Sequence, residues 1–138
     1  TLVSQDAEDT VRCALHLEEG ELVIFLERLR YAQNRPIVHV KTYLPEKLCK
    51  GILEEDMQSN SLYQLLETQY GIDISYLSRN VQAALSDSYV AELLELPQLS
   101  AILYVSTISY TQEDIPFEYS LASYRGDAYQ MNVDLKKS

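Results

Sequence analysis

From Leu22 to Tyr31 the chain is apolar on both parities at its start and carries two arginines on one parity at its end. On a strand, Leu22, Ile24, Leu26, Arg28 and Arg30 share one face, while Val23, Phe25, Leu29 and Tyr31 share the other. This pattern predicts a central strand. Ahead of it, Thr1 to Gln5 reads as a short strand, and Asp6 as the cap of a helix carrying Val11, Ala14 and Leu15. His16 falls near the end of that helix, where an imidazole suits the dipole, and Glu18-Glu19-Gly20 closes it. A turn at Ala32 to Arg35 leads to a second strand from Pro36 to Leu44, ended by Pro45.

Residues Glu46 to Ser59 are polar with apolar anchors at Leu48, Ile52 and Leu53, consistent with a short helical crossover. Asn60 to Gly71 is the best-delimited helix: Leu62, Leu65 and Leu66 form one stripe, Ser61 with Gln64 fits a capping box, and Gly71 is a natural stop. An extended stretch then runs through Ile74, Tyr76 and Val81 to Leu85. Ser86 is placed to cap a helix carrying Val90, Leu93 and Leu94, followed by strands at Ala101 to Tyr110 and Ile115 to Tyr124. After the turn Arg125-Gly126-Asp127, the alternation of Tyr129, Met131, Val133 and Leu135 predicts a half-buried edge strand able to pair with a second subunit.

The first segment's order of elements returns in the second. At an offset of 79, Val11 aligns with Val90, Leu15 with Leu94, Phe25 with Tyr104, Leu29 with Ile108 and Tyr31 with Tyr110; one further residue aligns Pro36 with Pro116. This predicts an internal duplication of a strand-helix-strand-strand unit. Arg28 and Arg30 fall opposite Thr107 and Ser109, so the scaffold accepts small polar residues there. The arginines are therefore read as specific equipment, and two halves with different polar residues would enclose a lopsided cleft.

Composition narrows the function classes. A chain of 138 residues with 46% hydrophobic and 23% charged content is that of one ordinary folded domain. Its net charge of −10 argues against direct contact with nucleic acid or anionic membranes. Cys13 and Cys49 have no metal-ligand spacing and read as reduced thiols of a cytoplasmic protein, with neither metal nor cofactor expected. No apolar run reaches the roughly 18 residues of a membrane span. Thr1 in place of Met suggests a fragment or a processed chain.

Two cations on one face of a core strand are either solvated or meet an anion. A helix start at Ser61 offers free N–H groups and partial positive charge to the same anion, unless Ser61 merely caps its own helix. His39 and Lys41 read as a solvated strand face. No Ser/His/Asp or Cys/His constellation is evident, so no catalytic residue is assigned.

Five ordered blocks carry a family resemblance: Glu27-Arg28-Leu29-Arg30, Pro36 to Pro45, Ser61-Leu62-Tyr63 with Tyr70-Gly71, Pro116-Phe117-Glu118-Tyr119, and Tyr124 to Tyr129. Together they resemble the effector-binding (UTRA) domain of bacterial transcription regulators in the HutC subfamily of GntR, over nearly the whole chain. The resemblance implies an α+β fold of the chorismate-lyase type, an antiparallel β-sheet flanked by helices. It also implies that residues 1–138 are an effector-binding and dimerisation domain of a homodimer, whose winged helix-turn-helix, absent from this chain, contacts DNA. The implied ligand is a small anionic effector, a sugar phosphate, with Arg28, Arg30, Ser61 and Tyr63 on the phosphate. Glu118 and Tyr124, and more weakly Arg125, would contact its organic part. Val40 stands where sugar-phosphate binders often have an acidic residue, a departure that bears on which sugar is bound. An enzyme of the chorismate-lyase type and a dimerisation module with a vestigial pocket are the alternatives.

Overall fold

The computed structural model describes residues 2–54 and 61–137. Its elements are β1 (Leu2–Asp6), α1 (Asp9–Leu15), β2 (Leu22–Ala32), β3 (Arg35–Pro45), two 3₁₀ turns at Glu46–Leu48 and Ile52–Glu54, α2 (Leu62–Tyr70), β4 (Tyr76–Leu85), α3 (Ser88–Leu93), β5 (Ala101–Tyr110) and β6 (Pro116–Arg125). The six strands form one antiparallel sheet in the order β1-β2-β3-β6-β5-β4. The α+β class and the antiparallel sheet agree with the sequence. Part of the Glu46 to Ser59 crossover and the helix start expected at Asn60 lie outside the described residues.

The duplication is visible in the hydrogen-bond register. The β1–β2 pair Leu2↔Leu26 recurs between β4 and β5 as Val81↔Val105, and Val23↔Pro45 of β2–β3 recurs as Ile102↔Arg125 of β5–β6. Even the irregularity repeats, between Arg30 and Tyr31 in one half and between Ser109 and Tyr110 in the other. The helix ends match too: His16 and Glu95 both adopt the left-handed conformation, with the N–H groups of Leu17 and Leu96 bonding back to Arg12 and Ala91. Strands β3 and β6 join the halves, and Lys41 pairs with its own counterpart Leu121. A local pseudo-two-fold axis therefore passes through that pair.

Burial divides the sheet into two unlike faces. On one, Val11 and Leu15 of α1 pack against Val23 and Tyr43, and Val90 and Leu94 at α3 pack against Ile102 and Leu29. Burying each such side chain contributes about 1.5–3 kcal/mol. On the other, the 3₁₀ turns and α2 cover only the first half, where Leu62, Leu65 and Leu66 meet Ile24, Leu26, Leu44 and the bulged Phe117. The second half has no such cover, which leaves a concavity over the middle of the sheet.

Several local expectations are corrected. Asp6 ends β1, and the α1 cap is Glu8, with no side-chain bond. Ser61 is the N-cap of α2, but its hydroxyl makes no cap bond, so the capping box with Gln64 is not formed; an exposed N-cap can leave its free N–H groups to water. Asp87 rather than Ser86 caps α3, accepting from Val90 N at 2.8 Å, while Ser86 Oγ accepts from Ser100 N. The helix starts at Ser88, so Asp87 holds the N-cap position and Ser86, one residue earlier, bonds the loop. Residues 128–137 form no strand, and Met131, Val133 and Leu135 are exposed. The tail joins neither free edge of the sheet, β1 or β4, within this chain.

Candidate functional site

Period-two geometry brings one parity of five strands to the uncovered concavity. Its floor is Val40, Val105 and Ala122, with the hydroxyls of Ser120 and Thr107 beside them. Arg28 and Arg30 approach from β2, Arg79 from β4, Glu118 and Tyr124 from the two ends of β6, and Tyr63 from the first turn of α2. The cavity measures about 350 Å³, within the range of small-molecule sites.

The cations here are under electrostatic tension. Burial, and then the neighbouring Arg30 guanidinium, lower the Arg28 pKa, against opposing influence from Glu118 and Tyr63. Arg28 Nε is buried and lacks a hydrogen-bond partner among the described residues. Such a donor costs free energy unless an acceptor arrives. None of Arg28, Arg30 and Arg79 forms an ion pair among the described residues.

Glu118 is 2% exposed, yet well supplied with donors: Tyr63 Oη donates to its Oε1 at 2.7 Å and Ser109 Oγ to the same oxygen at 2.9 Å. Burial first, and Glu118 second, push the Tyr63 phenol above its ordinary range, so it stays a donor. Ser109 is the counterpart of Arg30 across the pseudo-axis, and Thr107 that of Arg28. The second half thus contributes hydroxyls where the first contributes guanidinium groups.

Five of the residues singled out from sequence converge: Arg28, Arg30, Tyr63, Glu118 and Tyr124 all line the cavity. Glu118 and Tyr124, six residues apart on one strand, mark its two ends rather than a single point. Ser61 does not line the cavity and is exposed. Arg125 has the opposite parity and turns away: its Nη1 donates to Leu94 O at 2.8 Å and its Nε to Asp127 Oδ1 at 3.0 Å, so it fastens the C-terminal end of α3. Val40 does line the cavity and makes its floor apolar at that point.

Two features were not anticipated. Arg79 lies in an extended stretch with no recognisable motif; its only signal was the parity it shares with Val81. His39, expected on a solvated face, is 2% exposed and meets Glu27 Oε2 at 2.6 Å, with Tyr89 Oη donating to the same oxygen and the two rings edge-on at 5.7 Å. Helix α3 covers β3 here, and a buried imidazole is tolerated because a carboxyl of the adjacent strand receives it. This cluster lies on the helix face of the sheet, away from the cavity.

Comparisons with known proteins now bear on the geometry. The model of the UTRA domain family matches residues 1–130. The HTH-type transcriptional regulator GmuR of Bacillus subtilis is 30% identical over 121 residues, which is 88% of this chain and 51% of that protein. The chain spans about half the length of the curated relatives it matches. Among solved structures, a GntR-family transcriptional regulator from Enterococcus faecalis superposes with a TM-score of 0.90 at 25% identity, covering 98% of this chain and 96% of the other. The effector domain of PhnF from Mycobacterium smegmatis superposes with a TM-score of 0.92, covering 99% of this chain and 84% of the other; at 23% identity that likeness speaks to the fold. A family match along nearly the whole chain, with the fold superposing end to end, establishes that this chain belongs to the UTRA domain family.

Proposed function

We propose that the chain senses a small anionic metabolite, a phosphorylated sugar, within a longer transcription regulator whose DNA-binding part lies outside these 138 residues. The observation that carries this reading is the Arg28–Arg30 pair: burial and then Arg30 lower the Arg28 pKa, and the buried Arg28 Nε has no acceptor among the described residues. A dianionic phosphate relieves the repulsion and supplies the acceptor together. Each charge-assisted hydrogen bond contributes about 1.5–3 kcal/mol, so a few of them support micromolar binding after association costs. The relatives named as HTH-type transcriptional regulators support the regulatory context.

The regulator acts as a homodimer in this reading. Edge strand β4 supports it, exposing Tyr76, Leu77 and Leu85 along an unpaired ladder. Effector occupancy then biases how paired DNA-binding parts are held, through differential affinity for two arrangements. The apolar Val40 favours an effector whose group at that point is not hydroxyl-rich.

Calorimetric titration with a panel of phosphorylated sugars tests the reading. One or more binds to the wild-type chain and none to Arg28→Ala/Arg30→Ala. If no phosphorylated compound binds, or if the double variant leaves effector-controlled DNA binding of the full-length regulator unchanged, the sensor reading fails.

A further inference from the structure

Arg79 stands on β4, four strand steps from Arg28 on β2, or about 19 Å between backbones at the usual spacing. Arg79 does not stay over its own strand. Arg79 Nε donates to Thr107 Oγ1 at 3.0 Å, which draws the guanidinium inward over β5. That bond uses Nε and leaves the terminal nitrogens without a hydrogen-bond partner among the described residues. Arg28 enters the same cavity from β2, which Tyr63 and Glu118 also line. Arg79 lines that cavity too. The two cations therefore flank the Tyr63–Glu118 pair from opposite halves of the molecule.

Charge counting leads to the same place. The cavity holds three guanidinium groups and one carboxyl, so two positive charges are left over even with Glu118 ionised, in a chain of net charge −10. An electropositive pocket in an acidic molecule needs a ligand of matching charge.

We propose that Arg79 is a third effector-contacting residue, supplied by the second half of the duplication, which with Arg28 brackets an effector anion bearing two negative charges. This rests on the effector reading above and names a residue that it leaves open. The phosphate dianion is then preferred over the monoanion, and affinity for a phosphomonoester rises as pH passes through its second pKa near 6. Thr107 positions Arg79 and has no contact with the anion of its own.

Inorganic phosphate is the probe for the anion subsite. Its affinity is followed by calorimetry and by the rise in Tm relative to chloride at equal ionic strength. In wild type, Arg79→Ala, Arg79→Lys, Thr107→Val and Arg28→Ala, the expected results are tenfold or more weakening in Arg79→Ala and partial recovery in Arg79→Lys. Thr107→Val weakens binding severalfold, and the preference for pH 8 over pH 5 shrinks in Arg79→Ala. Arg79 is exposed, so its two variants fold. If Arg79→Ala binds phosphate as wild type does while Arg28→Ala does not, the role of Arg79 is overturned and the sensor reading stands. If wild type binds no phosphate at tens of millimolar, both fall.

Discussion

Tyr63 Oη donates to Glu118 Oε1 at 2.7 Å, tying the first turn of α2 to the central strand β6. The bond crosses from the connector to the second half, so it closes the cavity at one end and braces the helix above it. Tyr63→Phe keeps the ring and removes the donor, leaving Ser109 alone on that oxygen. A loss of about 1–2 kcal/mol is expected in urea unfolding of the unliganded chain.

Arg28 predicts the opposite balance. Its charge is disfavoured by burial and by Arg30, so Arg28→Met keeps the aliphatic stem and removes the repulsion. The unliganded variant is expected to match wild type or exceed it by about 0.5–1 kcal/mol, while losing phosphate binding. Paired unfolding and titration measurements check both halves of the statement.

The Glu27 cluster predicts a dependence on pH. Burial by itself would raise the Glu27 pKa, but hydrogen bonds from Tyr89 and His39 outweigh it and hold the carboxyl below its ordinary 4.5. A carboxyl depressed on folding contributes stability above its unfolded pKa and loses that contribution as pH falls through the folded value. Wild type should therefore lose stability below about pH 4.5 more steeply than Glu27→Gln, as read from Tm at successive pH values.

The two thiols should differ in reactivity. Cys49 is buried, and burial pushes its thiol up to about 12, whereas Cys13 is exposed. A chromogenic disulfide reagent at pH 8 is expected to titrate Cys13 in the native chain and both cysteines after denaturation.

Gly126 follows β6 where the chain passes close to β5. A Cβ at that position would lie 2.6 Å from the Ala101 carbonyl oxygen, which is fixed in backbone. Gly126→Ala is expected to cost about 1–3 kcal/mol, measured as a lower urea midpoint.

The elements and the duplication were legible because they are written in periodicity. Val11 with Leu15, and Val90 with Leu94, announce two helices at one offset, and the strands of both halves follow at the same spacing. Parity also gave the site its wall, since Arg28 and Arg30 had to share a face with Leu26. What stayed hidden depends on which elements neighbour one another in space. His39 looks like a solvated residue until α3 is laid over β3. Arg79 carries no local signal, and only strand order shows that β4 borders the same cavity. Arg125 looked like a pocket residue by its block, yet its parity sends it to Leu94. The tail from residue 128 alternates like a strand but pairs with neither free edge, β1 or β4, within this chain.

The axis through Lys41 and Leu121 bears on how a guest molecule would be seated. A cavity lying across a two-fold axis with identical walls offers every unsymmetrical guest two equivalent poses, head to tail and tail to head. Here Thr107 stands where the axis would place a second Arg28, Ser109 where it would place Arg30, and Val38 where it would place Glu118. Divergence of those few positions has left the backbone symmetric and removed the degeneracy, so that a guest with one charged end has one way to lie.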